Sequence, residues 1–126
     1  MNKKVESALA PNAIGPYSQA IVSGNLLFVS GQLPIDSESG AVVEGCVKCQ
    51  TRKALQNAGA ILKEAGFDFK DVVKTTVYLS DIADFGAMNE VYAEFFGEPY
   101  PARAAFEVGA LPKKEAKVEI ELIAAK

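Results

Sequence analysis

Two short segments near the end of the chain carry the residues best suited to chemistry on an acidic small molecule. Pro101-Ala102-Arg103-Ala104-Ala105-Phe106-Glu107 and Lys117-Val118-Glu119-Ile120-Glu121-Leu122 both read as strands. With a side-chain period of two, Arg103 and Ala105 share one face of the first. Glu119 and Glu121 share one face of the second, opposite Val118, Ile120 and Leu122. An arginine offers a planar fork that fits a carboxylate, and a nearby glutamate can hold water or move a proton. If Arg103 and Glu119 both project from a helix-free sheet face, they form such a pair. Charged residues on strands also commonly face solvent or pair structurally, so the pattern leaves both readings open.

What the chain lacks narrows the chemistry. There is no histidine, which removes a Ser-His-Asp triad, a Cys-His pair and an imidazole-ligated metal. Acid–base work then falls to carboxylates, tyrosine, lysine, backbone or water. The two cysteines stand together as Cys46-Val47-Lys48-Cys49. Two thiols alone cannot complete a four-ligand zinc site within one chain, and neither metal nor cofactor is expected. Thiols one turn apart near a helix start can be reactive, but a redox motif normally follows a strand in a thioredoxin-like unit. The expectation is two reduced, incidental cysteines.

The surrounding elements must position these groups. The 126 residues suit one domain, 1–126, with 49% hydrophobic and 23% charged residues. A net charge of −3 leaves no electrostatic footprint for nucleic acid or an anionic membrane. No leader-like or membrane-spanning apolar run is present, so a cytoplasmic protein without membrane partners is expected. Lys3 to Ser7 reads as a short strand, and Ala20 to Val22 with Leu26 to Ser30 as a hairpin. Cys46 to Ala65 has helical periodicity, with Lys48, Arg52, Lys53, Gln56, Asn57 and Lys63 on the polar face and Gly66 as a stop. Val72 to Leu79 reads as a strand with Val73, Thr75, Val77 and Leu79 on one face. Asp81 caps a second helix carrying Phe85, Met88, Tyr92 and Phe95 inward. Ala102 to Val108 and Lys117 to Ile123 close the chain as strands.

The expected fold is therefore α+β, with two helices on one face of the sheet. Leu26, Phe28 and Ser30 alternate with Leu27 and Val29, so that strand is apolar on both sides. Either a loop covers the second face or other subunits do.

Several segments resemble the RidA (YjgF) family: Ala13-Ile14-Gly15-Pro16-Tyr17-Ser18-Gln19-Ala20, Ser30-Gly31-Gln32-Leu33-Pro34, Val73-Lys74-Thr75-Thr76-Val77, Pro101-Ala102-Arg103-Ala104-Ala105 and Val118-Glu119-Ile120-Glu121. They keep the family's order and spacing across nearly the whole chain. The resemblance implies a chorismate-mutase-like fold, a barrel-like homotrimer with clefts between subunits, and no cofactor. It implies hydrolysis of reactive enamines or their imine tautomers (2-aminoacrylate, 2-iminopropanoate, 2-iminobutanoate) to 2-keto acids and ammonia. Arg103 matches the family arginine that grips the substrate carboxylate, and Glu119 the carboxylate that positions or activates water. Tyr17, Ser30 and Asn89 match residues around the cleft, and Gly31 a backbone position near the substrate. Ala105 departs from the cysteine found there in some members; its backbone groups survive that change. Rival functions are a non-catalytic keto- or imino-acid-binding regulator, a ribonuclease or translation inhibitor, and, by fold analogy alone, a chorismate mutase.

Overall fold

A computed structural model describes residues 1–126. The strands are β1 (Lys3–Val5), β2 (Ala20–Ser23), β3 (Leu26–Gln32), β4 (Val72–Leu79), β5 (Ala102–Glu107) and β6 (Val118–Ala125); the α-helices are α1 (Val47–Glu64) and α2 (Phe85–Phe95). The six strands form one sheet in the order β1-β2-β3-β6-β4-β5. Only β4 and β5 run parallel.

Both helices cover one face of this sheet. Ala54, Leu55, Ala58, Ile61 and Leu62 of α1 and Met88 and Tyr92 of α2 pack with Leu27, Val29, Val77, Leu79, Val118, Ile120 and Leu122 in one core. The period of 3.6 in α1 meets the period of two in β6, whose residues alternate strictly between buried and half-buried. Helix α1 ends where Gly66 takes a positive φ of 82°. The Gly66 N–H then donates to Lys63 and the Phe67 N–H to Leu62, satisfying carbonyls the helix leaves open. No helix is long and apolar enough to cross a membrane.

Two expectations about facing change. Asn57 does not join the polar face of α1: it is 1% exposed and donates to the carbonyls of Leu33 and Ile35, 3.0 Å from each. The loop after β3 makes only an isolated bridge, Ile35 with Val42, and the buried amide adds donors for its carbonyls. Val73 is 47% exposed, while its neighbour Val72 is 6% exposed. A register shift between Val72 and Lys74 inserts one extra residue, turning Val73 outward while Thr75, Val77 and Leu79 stay in the core.

Gln19, buried just before β2, ties down the amino-terminal segment. Its side chain accepts from the Ser7 N–H at 2.7 Å and donates to the carbonyls of Ser7 and Pro11 at 3.2 and 2.7 Å. Gln19→Ala leaves buried backbone groups without partners, at about 1–3 kcal/mol each. Urea denaturation should show a loss of at least about 1–3 kcal/mol, and an unchanged midpoint would mean that water replaces the amide.

The second sheet face carries no helix. Ile21, Phe28 and Ile123 form a cross-strand apolar row there, beside Lys74, Thr76, Tyr78, Glu119 and Glu121. Phe28 remains 42% exposed and Phe106 45% exposed.

Candidate functional site

Glu119 lies on the open face, paired across the ladder with Tyr78. Opposite this part of β6, strand β3 is irregular. Val29 pairs with Leu122 but Gln32 with Ile120, so Ser30 and Gly31 together face the single residue Glu121. Such a bulge bends the strand and re-aims its side chains. Gly31 is needed there because the Glu119 side chain crosses directly over its backbone. A β-carbon at position 31 would stand 2.5 Å from Glu119 Oε2 and 2.9 Å from Cδ. Gly31→Ala must therefore displace the carboxylate, and activity is expected to fall about as far as for loss of Glu119 itself, while the fold is retained. Circular dichroism and steady-state kinetics together check this outcome; full activity would mean that the carboxylate position is unimportant.

The Ser30 hydroxyl donates to the Ser18 carbonyl at 2.6 Å, and the Ser30 N–H to the Gln19 carbonyl at 2.9 Å. The bulge thus holds the segment that carries Tyr17, whose ring is 54% exposed. A cleft of about 740 Å³ opens among Ile14, Tyr17, Ser30, Gly31, Glu119 and Glu121. Burial in this cleft pushes the Glu119 carboxyl above its ordinary value, and the charge of Glu121 adds to the effect. Tyr78 beside them is likewise held above the ordinary phenol range, by burial first and then by Glu121.

Arg103 is elsewhere: the condition that it share the helix-free face with Glu119 is not met within the chain. It pairs with Thr75 of β4, which is fully buried on the helix side. Its guanidinium donates to Asn89 Oδ1 at 2.7 Å and stacks over the rings of Tyr92 and Phe85, at 4.7 and 5.4 Å. The ring of Tyr92 is fixed in turn by a 2.8 Å hydrogen bond to Thr75. Asn89, Phe85 and Tyr92 come from one face of α2, at i, i−4 and i+3. The Tyr92 phenol is raised by burial, against the opposing effects of the Thr75 hydrogen bond and the Arg103 charge.

Ala105 sits beside Arg103 on β5, the outermost strand. The Val108 N–H donates to the Leu79 carbonyl, and parallel ladders alternate. Arg103 and Ala105 therefore turn their backbone N–H and C=O outward along the free edge. The candidate residues fall into two groups: Tyr17, Ser30, Gly31 and Glu119 around the cleft, and Arg103, Asn89 and Ala105 at the β5–α2 edge. Glu121, Tyr78 and the aromatic cradle of Arg103 were not singled out from sequence. Glu121 had a signal, since it shares a strand face with Glu119; the cradle had only helical spacing around Asn89.

The chain is a single α+β domain with an uncovered sheet face, a carboxylate cleft and a separate arginine edge. The family described as Endoribonuclease L-PSP matches residues 7–126, and the chain belongs to it, the family known as RidA (YjgF). A RutC family protein of Pyrococcus horikoshii is 55% identical over 126 residues, covering 100% of this chain and 99% of its own. The human 2-iminobutanoate/2-iminopropanoate deaminase is 48% identical over 124 residues, covering 98% of this chain and 90% of its own. The crystal structure of E. coli TdcF with bound serine superimposes with a TM-score of 0.92 at 42% identity, covering 98% of each chain.

Proposed function

We propose that this chain hydrolyses reactive 2-imino acids, such as 2-iminopropanoate and 2-iminobutanoate, to 2-keto acids and ammonia. We further propose that it does so as a homotrimer whose clefts each draw on two subunits. The observation that carries this reading is the split site: Arg103 and Glu119 stand on opposite faces of one sheet. An arginine edge and a carboxylate cleft cannot hold one small molecule within the chain, but the edge of one subunit can close the cleft of another. The apolar row of Ile21, Phe28 and Ile123 on the uncovered face supports burial against further copies. Relatives named for imine deamination and a relative with bound serine support a small amino- or imino-acid ligand.

In this assembly Arg103, held flat by Tyr92 and Phe85 and aligned by Asn89, takes the substrate carboxylate through paired hydrogen bonds. The outward backbone groups of Ala105 and the backbone at Gly31 line the imine carbon and nitrogen. Glu119 orients a water and accepts its proton as the oxygen attacks the protonated imine carbon. That proton then passes from Glu119 to the carbinolamine nitrogen, and as ammonia leaves Glu119 takes the hydroxyl proton, giving the 2-keto acid. Ser30 has committed its proton to Ser18, so it offers the water an acceptor rather than a donor, and Tyr17 caps the cleft. Because an imine is already electrophilic, placement and electrostatics suffice for the acceleration, with no metal or covalent nucleophile in the path. A polyanion suits the site poorly, because Glu119 and Glu121 both line the cleft of a chain with net charge −3.

Subunit mixing tests the reading. Arg103→Lys and Glu119→Gln chains, each impaired about tenfold or more alone, are co-refolded in equal amounts. A cleft made from two chains receives both native residues in about one quarter of random assortments, so about a quarter of parent activity should return. No recovery in mixed assemblies would place both residues of the working site on one chain. Light scattering should give three times the 13.4 kDa chain mass.

A further inference from the structure

Cys46 and Cys49 take no part in the cleft, yet the structure brings them together. Cys46 is the residue that opens α1, with extended backbone at φ −79° and ψ 172°, and Cys49 follows one turn later. Their sulfurs are 3.8 Å apart, and both residues are exposed. Rotation about the side-chain bonds brings such a pair to the ~2.05 Å of a disulfide. Gly45 makes room for this arrangement: its φ is +122°, and a β-carbon there would touch Cys49 Sγ at 3.4 Å. The first turn of α1 holds no acidic residue, and the helix N-terminus favours a thiolate there. The pair sits at the start of α1, on the helix layer and not on the uncovered sheet face.

We propose that Cys46 and Cys49 form a thiol–disulfide exchange site, in which Cys46 attacks small-molecule disulfides and Cys49 resolves the product. The Cys46 thiolate forms a bond to one sulfur of the oxidant and expels the other as a thiolate. Cys49, deprotonated, then attacks Cys46 Sγ, closes the Cys46–Cys49 bond and releases the second small thiol. In sum, two protein thiols are oxidised and one disulfide is reduced to two thiols. The roles follow from position. The backbone N–H of Cys49, the Cys49 thiol and the backbone N–H of Lys48 hold the Cys46 thiol below its ordinary value. A thiol a turn further into the helix faces N–H groups that the helix itself engages.

Oxidised glutathione is the probe, and mass spectrometry of the intact chain is the readout. The parent should lose the mass of two hydrogens and retain no glutathione. Cys49→Ser should accumulate one glutathione on Cys46, because nothing resolves it, and Cys46→Ser should react several-fold more slowly. In Cys49→Ser, iodoacetamide should alkylate Cys46 with a pH midpoint below the ~8.5 of a free cysteine. The proposal is overturned if the parent does not react, or if it collects glutathione on both cysteines. It is equally overturned if the two variants react at the same rate.

Discussion

Glu119→Gln is expected to lower kcat by about 10²–10⁴-fold, the usual contribution of a positioned acid–base group. Binding of an unreactive 2-keto acid should change little. Glutamine fills the same space beside Gly31 and still hydrogen-bonds water, but it cannot take the proton released when water adds to the imine. The pH profile of the parent should carry the same signature. Burial and Glu121 raise the Glu119 carboxyl, so the base form is lost, and kcat falls, as pH drops through that raised value. Stability moves in the opposite sense. A carboxyl raised on folding is more easily ionised in the unfolded chain, so its charge weakens the fold at neutral pH. That cost vanishes below the unfolded-chain value of about 4.3 and is complete above the folded one. Glu119→Gln should therefore melt higher than the parent at pH 7, with the difference closing as the pH is lowered. A variant that lost both activity and melting temperature at pH 7 would mark Glu119 as a structural residue instead.

Much of the fold was legible because core periodicity is strong where one face is buried. In β6 and α1 the apolar positions alone define strand, helix and facing, and the helix-free sheet face follows from having two helices on one side. The errors came where a partner decides the outcome. Val73 and the Ser30–Gly31 bulge depend on an extra residue opposite β6, and nothing in β4 or β3 by itself announces it. Asn57 looks like a surface residue until the loop carbonyls of Leu33 and Ile35 need donors. For β5 the alternation of Arg103 and Ala105 was readable, but small residues on both sides leave the choice of face to its parallel pairing with β4. That choice separates Arg103 from Glu119. The family resemblance named the candidate residues together; only the three-dimensional arrangement divides them between the cleft and the β5–α2 edge.

Arg103→Lys retains a positive charge at the β5–α2 edge, yet kcat/KM is expected to fall about ten- to hundredfold, the worth of one charge-assisted hydrogen bond. The guanidinium here is held by three partners at once. Asn89 Oδ1 accepts from one nitrogen, and Tyr92 and Phe85 present ring faces at stacking distance. With one nitrogen occupied and the plane fixed, the other N–H groups of the fork are left for a substrate carboxylate. Lysine can approach the Asn89 oxygen but has no plane to stack and cannot offer two parallel donors to a carboxylate. The loss should therefore appear as weaker binding of a 2-keto acid as well as lower kcat/KM. Asn89→Ala should reproduce part of it by freeing the guanidinium to turn. Isothermal titration with pyruvate and steady-state kinetics on both variants, each checked for assembly by light scattering, make the comparison. If Arg103→Lys binds pyruvate as tightly as the parent and keeps its kcat/KM, the carboxylate is held by another group and the two-subunit cleft loses one of its halves.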